Sequence, residues 1–463
     1  MKSKDLSELG FPNSVACLAG TSIQAAIKGG TKKSDIKPIL KKLADNPHEF
    51  IDDTHFNELA IELIRLRDQV PEFTPRATPA PYQQWGTDIE EGAIQQMNNS
   101  CQLPVSVRGA LMPDAHQGYG LPIGGVLAVK NAVIPFAVGV DIACRMKLTV
   151  YDWSPIILGQ EKDRFRKVLE NETRFGMGSE FKTPREHSVM DEDWSITKLT
   201  REFRDRAWKQ LGTSGSGNHF VEFGAVTIDN DELGLEHGKN LALLSHSGSR
   251  GVGANVASFH SKVATKMHQE LPDELKNLAW LDLDSWEGQQ YWLAMELMGK
   301  YASANHDCIH RHIAKALGAK IILTIENHHN FAWKEEYDGE TVIVHRKGAT
   351  PAGVGVLGVI PGSMATQAYI VRGKGSLASL NSASHGAGRR MSRTMAKQKF
   401  TWCEAKRFIA ERGVELLSAG LDECPMAYKD IEQVMAAQTD LVEPLARFDP
   451  KLVKMSEDGR AED

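Results

Sequence analysis

The sequence has no run of about 18 apolar residues, so it offers no candidate for a membrane-spanning helix. No apolar stretch suited to a signal peptide follows Met1-Lys2-Ser3-Lys4-Asp5. Its six cysteines stand singly, without a C-x-x-C pair, which argues against a disulfide framework and against the close ligand pairs of a structural zinc site. Together these absences set the expectation of reduced thiols in the cytoplasm and no membrane contact. An excess of basic charge is also lacking. With 54 Lys and Arg against 60 Asp and Glu, the net charge is −6, and any contact with nucleic acid needs a local basic patch. Internal repeats and low-complexity segments are absent as well. What the chain has in quantity is glycine, 40 residues, gathered in short clusters beside its 16 histidines rather than in linkers. Its 463 residues, 41% hydrophobic and 25% charged, suit a globular enzyme core with an appendage, or two domains.

The N-terminal part reads as helical. Ile36, Ile39, Leu40 and Leu43 recur at helical spacing after Ser34, an expected N-cap, and Phe56, Leu59, Ala60, Leu63 and Ile64 repeat the pattern. Pro71, Pro75, Pro79 and Pro81 then mark a linker, with a boundary near residue 80. This divides the chain into a helical extension, 1–80, and a catalytic domain, 81–463. Beyond the boundary, short β-rich runs stop at Gly/His/Ser loops: Gly125–Val129, Arg145–Val150, His219–Val226, Leu241–Ser245, Lys320–Ile325 and Thr341–His345. Helical patterns cover Asn255–Glu270, Trp286–Leu317 and Trp402–Leu417. The fold class is therefore α/β (mixed α+β), with sheets surrounded by helices; the strand order is not legible.

Each chemical segment is modest alone. Gly139-Val140-Asp141-Ile142-Ala143-Cys144 puts a carboxylate and a thiol three residues apart, a pattern that a buried structural cysteine also satisfies. After the Gly212–Gly217 loop, Asn218, Phe220 and Glu222 share one face of a strand by period two. An amide, a ring and a carboxylate so placed can grip a purine. His219 points the other way unless it sits at the loop mouth. Leu241–Arg250 runs an apolar strand through His246 into a Ser/Gly loop whose N–H groups and Arg250 suit an anion. A strand ends at His328-His329, of which only one is expected to bind metal, and Ser384-His385-Gly386 sets a histidine among small residues beside Arg389 and Arg393. Four such strand-to-loop junctions in one chain change the balance. One thiolate, several imidazoles and a carboxylate make a catalytic divalent-metal site, with enough ligands for two positions bridged by Cys144. Donor softness alone favours zinc.

These segments, with Met112-Pro113-Asp114-Ala115-His116-Gln117-Gly118-Tyr119-Gly120, His345–Thr350, Pro361-Gly362-Ser363-Met364 and Ala427-Tyr428-Lys429-Asp430, resemble the RtcB RNA ligase family from about residue 105 onward. The resemblance implies that Asp141, Cys144, His219, His246 and His329 bind two manganese ions, which overrides the softness argument. It implies that His385 takes GMP from GTP, and that Asn218, Phe220, Glu222, Ser363, Ala387, Tyr428 and Lys454 hold the guanylate. The implied reaction joins an RNA 3′-phosphate or 2′,3′-cyclic phosphate to a 5′-hydroxyl, in splicing or repair, with an accessory activator protein as a further expected partner. Arg250, Arg389 and Arg393 are the candidates for RNA phosphates. The sequence departs from the family's usual pattern at Ala143 and Arg145, where glycines are common, at Ser214 and Ser216, and in continuing past Lys454 through Met455–Asp463. Two other readings compete: a metal-dependent phosphoesterase, which gives His385 no role, and a non-catalytic RNA-binding paralogue.

Overall fold

The computed structural model describes residues 3–7, 9–68 and 73–457. Pro71 of the expected linker and residues 458–463 of the C-terminal continuation lie outside them. The chain forms two compact units, Met1–Phe73 with Gln269–Leu271, and Thr74–His268 with Pro272–Asp463. Thr74 onward already belongs to the larger unit, because Arg76 N and Ala80 N donate to Gln102 O and Cys101 O and Tyr82–Gln84 enters a sheet.

The smaller unit is helical, built on Ala16–Lys28, Lys33–Asp45 and Asn57–Asp68. Its core takes in most of the apolar stripe visible in the sequence: Ile36, Leu40, Leu43, Phe56, Leu59, Ala60 and Leu63 are buried together, joined by Ile23, while Ile39 and Ile64 are half-buried. Ser34 is not the N-cap. The chain arrives extended at Lys32, which takes that position, and the Ser34 hydroxyl donates to Asp35 Oδ1 at 2.9 Å inside the first turn.

The larger unit holds two main sheets. One is five-stranded, in the order Tyr82–Gln84, Ser106–His116, Ile123–Val129, Glu340–Lys347, Asn330–Tyr337. The other runs Leu357–Ile360, Ala368–Gly373, Val442–Met455, Phe220–Ile228, Gly238–Ser247, Arg145–Tyr151, Ile321–His328. Every expected strand is present and most run longer. The second sheet curls until its outer strands meet, where Asn327 Oδ1 accepts from Val359 N at 2.8 Å. Met146, Leu148, Leu244, Ile370 and Phe448 fill its inside, while Phe165, Leu169, Phe223, Leu243 and Ile309 pack its outer face against helices, including the long Trp286–Leu317.

The expected helix Trp402–Leu417 is shorter. A Thr401/Glu404 capping box starts it, but it ends at Glu411, and Gly413 turns the chain at φ +65°. Glu415–Ser418 then adds in parallel to Val442–Met455 as a strand. Helical periodicity continued past the turn, and the sheet edge overrode it. Several strands of the main sheets were not anticipated: Tyr82–Gln84, Ser106–His116, Asn330–Tyr337, Leu357–Ile360, Ala368–Gly373 and Val442–Met455; prolines weaken the pattern of Ser106–His116 and Val442–Met455. No described helix is long and apolar enough to cross a membrane.

Candidate active site and metal centre

The expected metal ligands arrive from three strand ends and one loop. Gly139, at φ +101°, turns the chain out of a short helix into the segment bearing Asp141 and Cys144. Cys144 O accepts from His329 N and Ala143 N donates to Asn330 O, so this segment is laced to the end of the Ile321–His328 strand. Asn218 and His219 sit in the turn before Phe220, at the loop mouth, which frees His219 from the strand's alternation. His246 lies near the end of Gly238–Ser247.

These side chains converge on one buried point. Cys144 Sγ is 3.4 Å from His219 Nε2 and 3.1 Å from His246 Nε2, and His246 Nε2 is 3.2 Å from His329 Nε2. Asp141 Oδ2 is 3.1 Å from His219 Nε2. Asp141, Cys144 and His219 form one donor group, and Cys144, His246 and His329 another, all buried, with the thiol common to both. Separations of this size match neighbouring ligands around an ion held at roughly 2.0–2.3 Å. The supports are equally specific. Ser249 N donates to Asp141 Oδ1, leaving Oδ2 toward His219, and a Cβ at Gly248 would stand 2.1 Å from that carboxylate. His246 Nδ1 faces Asn218 O at 3.1 Å, which fixes the proton there and leaves Nε2 as the donor atom. Burial, with neighbouring histidines, pushes His246 and His329 well below the usual imidazole range, so both are neutral and able to ligate. His328 turns the other way, against Phe331 and Trp333. The donor set fits a divalent metal.

His385 stands beside this centre, its ring 5.0 Å from that of His329. Sequence reasoning missed the residue that orients it. Asp114, fully buried, accepts from His385 Nδ1 at 2.6 Å and from the backbone N–H groups of His385 and Gly386 at 3.2 Å. Burial opposes ionisation of Asp114, but His385, His116 and Lys429 outweigh it and hold the carboxyl below its usual range. Lys429 Nζ donates to Pro113 O and Ala115 O on either side. The approach is close enough that a Cβ at Gly388, φ +73°, would meet Asp114 O at 2.0 Å. The signal was present in Met112–Gly120, a polar interruption in an apolar run, but nothing in the sequence paired it with residue 385.

A cleft of about 610 Å³ opens over both groups. Asn218, Phe220 and Glu222 line it together, Phe220 and Glu222 by the strand's period two and Asn218 from the turn before it. Burial pushes the Glu222 carboxyl well above its ordinary range, and no protein group hydrogen-bonds it among the described residues. Ser363, Ala387 and Tyr428 also line the cleft. Lys454 does not. It pairs with Val221 in the sheet and so faces outward, its Nζ reaching Leu169 O and Thr173 Oγ1; its neighbour Met455, opposite Phe220, lines the cleft instead. The three arginines divide similarly. Arg250, 1% exposed, braces the Gly212–Gly217 loop through Thr213 Oγ1 and also bonds Gly176 O, away from the cleft wall. Arg389 and Arg393 reach the wall, with their guanidinium groups paired to buried Glu423 and Asp422.

The profile of the family described as tRNA-splicing ligase RtcB matches residues 96–195 and 161–455. The chain belongs to the RtcB family. Among curated RtcB proteins, it is 35% identical over 396 residues to the RNA-splicing ligase RtcB of Escherichia coli K12, an alignment covering 79% of this chain and 94% of that protein. It is 32% identical over 422 residues to the tRNA-splicing ligase RtcB of Methanococcus maripaludis, covering 75% and 87%. With RtcB homolog 1 of Entamoeba dispar it shares 30% over 414 residues, covering 74% and 77%. The RtcB match takes in the whole donor set, the Asp141–Cys144 loop and His385, and begins after the helical unit.

Proposed function

We propose that this RtcB protein seals RNA, joining a 3′-phosphate or 2′,3′-cyclic phosphate end to a 5′-hydroxyl at the expense of GTP. One observation carries the reading. Asp114 takes the proton side of His385 at Nδ1, so Nε2 keeps its lone pair and faces the cleft beside the donor set. An imidazole whose Nδ1 proton is held by a carboxylate presents Nε2 as a nucleophile, and His385 lies outside both clustered donor groups, which leaves that lone pair for a phosphorus. A metal phosphoesterase needs no such group.

His385 Nε2 attacks the α-phosphorus of GTP; an N–P bond forms, the bond to the β-phosphate oxygen breaks, and pyrophosphate leaves. An oxygen of the RNA 3′-phosphate then attacks the same phosphorus and His385 departs, leaving GMP on the RNA end. The 5′-hydroxyl oxygen attacks the RNA 3′-phosphorus, GMP leaves, and the hydroxyl proton passes to solvent. A cyclic phosphate is first opened by water. Asn218, Phe220 and Glu222 grip the guanine, with Glu222 meeting its N–H donors and Phe220 its face, while Ser363, Ala387 and Tyr428 shape the rest of the pocket. Asp141, Cys144 and His219 would hold one manganese ion and Cys144, His246 and His329 a second, as the two donor groups with Cys144 in common suggest. Bound there, the ions supply positive charge to the phosphoryl oxygens.

Incubation with α-labelled GTP and manganese tests the reading. The protein is expected to retain acid-labile label, and His385→Ala to lose it while keeping its metal content. Label that persists in the variant refutes the assignment; RNA sealing without manganese refutes the metal choice.

A further inference from the structure

The helical unit carries a charge pattern that the ligase chemistry leaves unused. Lys28, Lys32, Lys33, Lys37, Lys41 and Lys42 are all exposed, and Asp35 is the one acidic residue between positions 28 and 42. Lys33, Lys37 and Lys41 recur at every fourth position of the Lys33–Asp45 helix. Like charges at that spacing lie one turn apart and repel. Ile36, Leu40 and Leu43 are committed to the core on the other side, so the stripe cannot turn inward. Nor is it neutralised by its own unit. Among the described residues no carboxylate pairs with any of the six, while Glu62 pairs with Arg65, and Asp35 and Glu49 bond Ser34 and Asn46.

The three arginines singled out in the larger unit are already committed elsewhere. The chain's net charge is −6, Arg250 is enclosed, and Arg389 and Arg393 already face Glu423 and Asp422. None of the three is an uncommitted cation for an incoming phosphodiester backbone. The family match begins at residue 96, so the lysine stripe lies outside the part shared with the family profile.

We propose that the Lys28–Lys42 stripe is a docking surface for the phosphate backbone of RNA, a proposal that rests on the RNA-ligase reading. Ammonium groups on flexible stems act as point charges and lack the planar fork that reads a base edge. The stripe therefore binds RNA regardless of sequence and raises the local concentration of substrate, leaving end recognition to the cleft.

Anisotropy of a fluorescent single-stranded RNA with a 3′-phosphate, measured on the full chain across potassium chloride concentrations, tests this. Single strands give a slope of about −0.7 in log affinity against log salt per phosphate contacted. The triple variant Lys33→Gln/Lys37→Gln/Lys41→Gln is expected to lose about 2 units of slope and roughly tenfold or more in affinity at low salt. The KM for RNA should rise by a similar factor with kcat unchanged. The triple Arg variant should keep wild-type slope and affinity, since it preserves charge. Unchanged affinity and slope in the Gln variant overturn the proposal and point to an acidic protein or anionic lipid as the partner. Equal weakening in the Arg variant overturns it too, because charge is then not the cause. Circular dichroism confirms that the variants keep their helices. A chain that takes no label from GTP and seals no RNA sinks the ligase reading, whatever the slope; one that seals RNA but ignores the Gln substitutions sinks only the stripe.

Discussion

Replacing Asp114 with Asn tests the tautomer argument directly, because the substitution keeps shape and changes charge. Asp114 Oδ2 gathers three donors, His385 Nδ1–H and the N–H groups of His385 and Gly386. An Asn amide oxygen in the same place can still accept all three, and its NH2 group then occupies the position of Oδ1, which is buried without a hydrogen-bond partner. The positive charge that develops on the ring as Nε2 bonds to phosphorus loses its counter-ion. A hydrogen bond to a charged group is worth about 1.5–3 kcal/mol, so guanylylation should slow by roughly 10- to 150-fold if the oxygen stays in place. Should the amide flip, its NH2 donates to Nδ1, the ring proton moves to Nε2 and the lone pair is gone; a loss on the order of 10⁴ then applies, by analogy with the Asp-to-Asn change in a serine protease triad. The assay is single-turnover transfer of label from α-labelled GTP. Metal content, read by atomic absorption, should not change, since Asp114 is not one of the clustered donors. Wild-type labelling in Asp114→Asn, or loss of metal along with activity, would refute the argument.

Glu222→Gln should raise the unfolding temperature at pH 8 while raising the KM for GTP by roughly 10-fold or more. Burial lifts the Glu222 pKa, so the carboxyl costs stability as pH climbs above its unfolded value near ~4.3, and the amide removes that cost; a lower melting temperature at pH 8 contradicts this. Cys144→Ala should remove metal from both positions, since its thiol belongs to both donor groups, and titration with cobalt should lose the thiolate charge-transfer band entirely; one remaining site of unchanged affinity would dismiss the shared ligand. Arg145→Gly should destabilise the fold by about 2–4 kcal/mol, because Arg145 is buried against Glu326, and denaturant melts decide it. Glu326, held down to about 2 by Arg145, His306 and Lys147 despite its burial, gives a stability contribution present above about pH 4.5 that fades toward pH 2; a flat acid limb in wild type speaks against the cluster.

Position along a strand was the legible quantity, and direction across the chain was not. His246 could be placed by the glycine loop that ends its strand, and Phe220 and Glu222 by period two, which fixes where a side chain points. His329 could be preferred to His328 only through the family resemblance; the structure gives the physical reason, since His328 stacks on Phe331 and Trp333. Lys454 shows the limit. Its place in the pocket was implied by the family resemblance alone, and its strand, Val442–Met455, shifts register between Pro450 and Leu452, so that Lys454 pairs with Val221 and Met455 with Phe220. Arg250 failed for another reason. A cation beside a Ser/Gly loop suits an anion, but carbonyls and hydroxyls of neighbouring loops can satisfy it equally, and here Thr213 Oγ1 and Gly176 O do. Asp114 and residue 385 are 271 positions apart, and no local pattern reports a contact of that separation.

The two departures in the metal loop are physically one change. Ala143 stands at φ +57°, a conformation that glycine adopts freely and that costs a residue with a Cβ about 1–2 kcal/mol. Arg145, two residues on, donates from Nε to Ala143 O at 3.2 Å and from Nη2 to Gly299 O at 2.9 Å, while Nη1 pairs with Glu326. Its guanidinium thus straps the strained peptide to the long helix and to the strand that ends at His328. A family member with glycine at both positions needs no such strap, and one with alanine alone would strain the segment that presents Cys144. Here the strap lies behind the loop, 6% exposed, so the added charge is spent on Glu326 and two carbonyls instead of on the metal. With the guanidinium so paired, the thiol next to it stands 3.1 Å from His246 Nε2 and 3.4 Å from His219 Nε2.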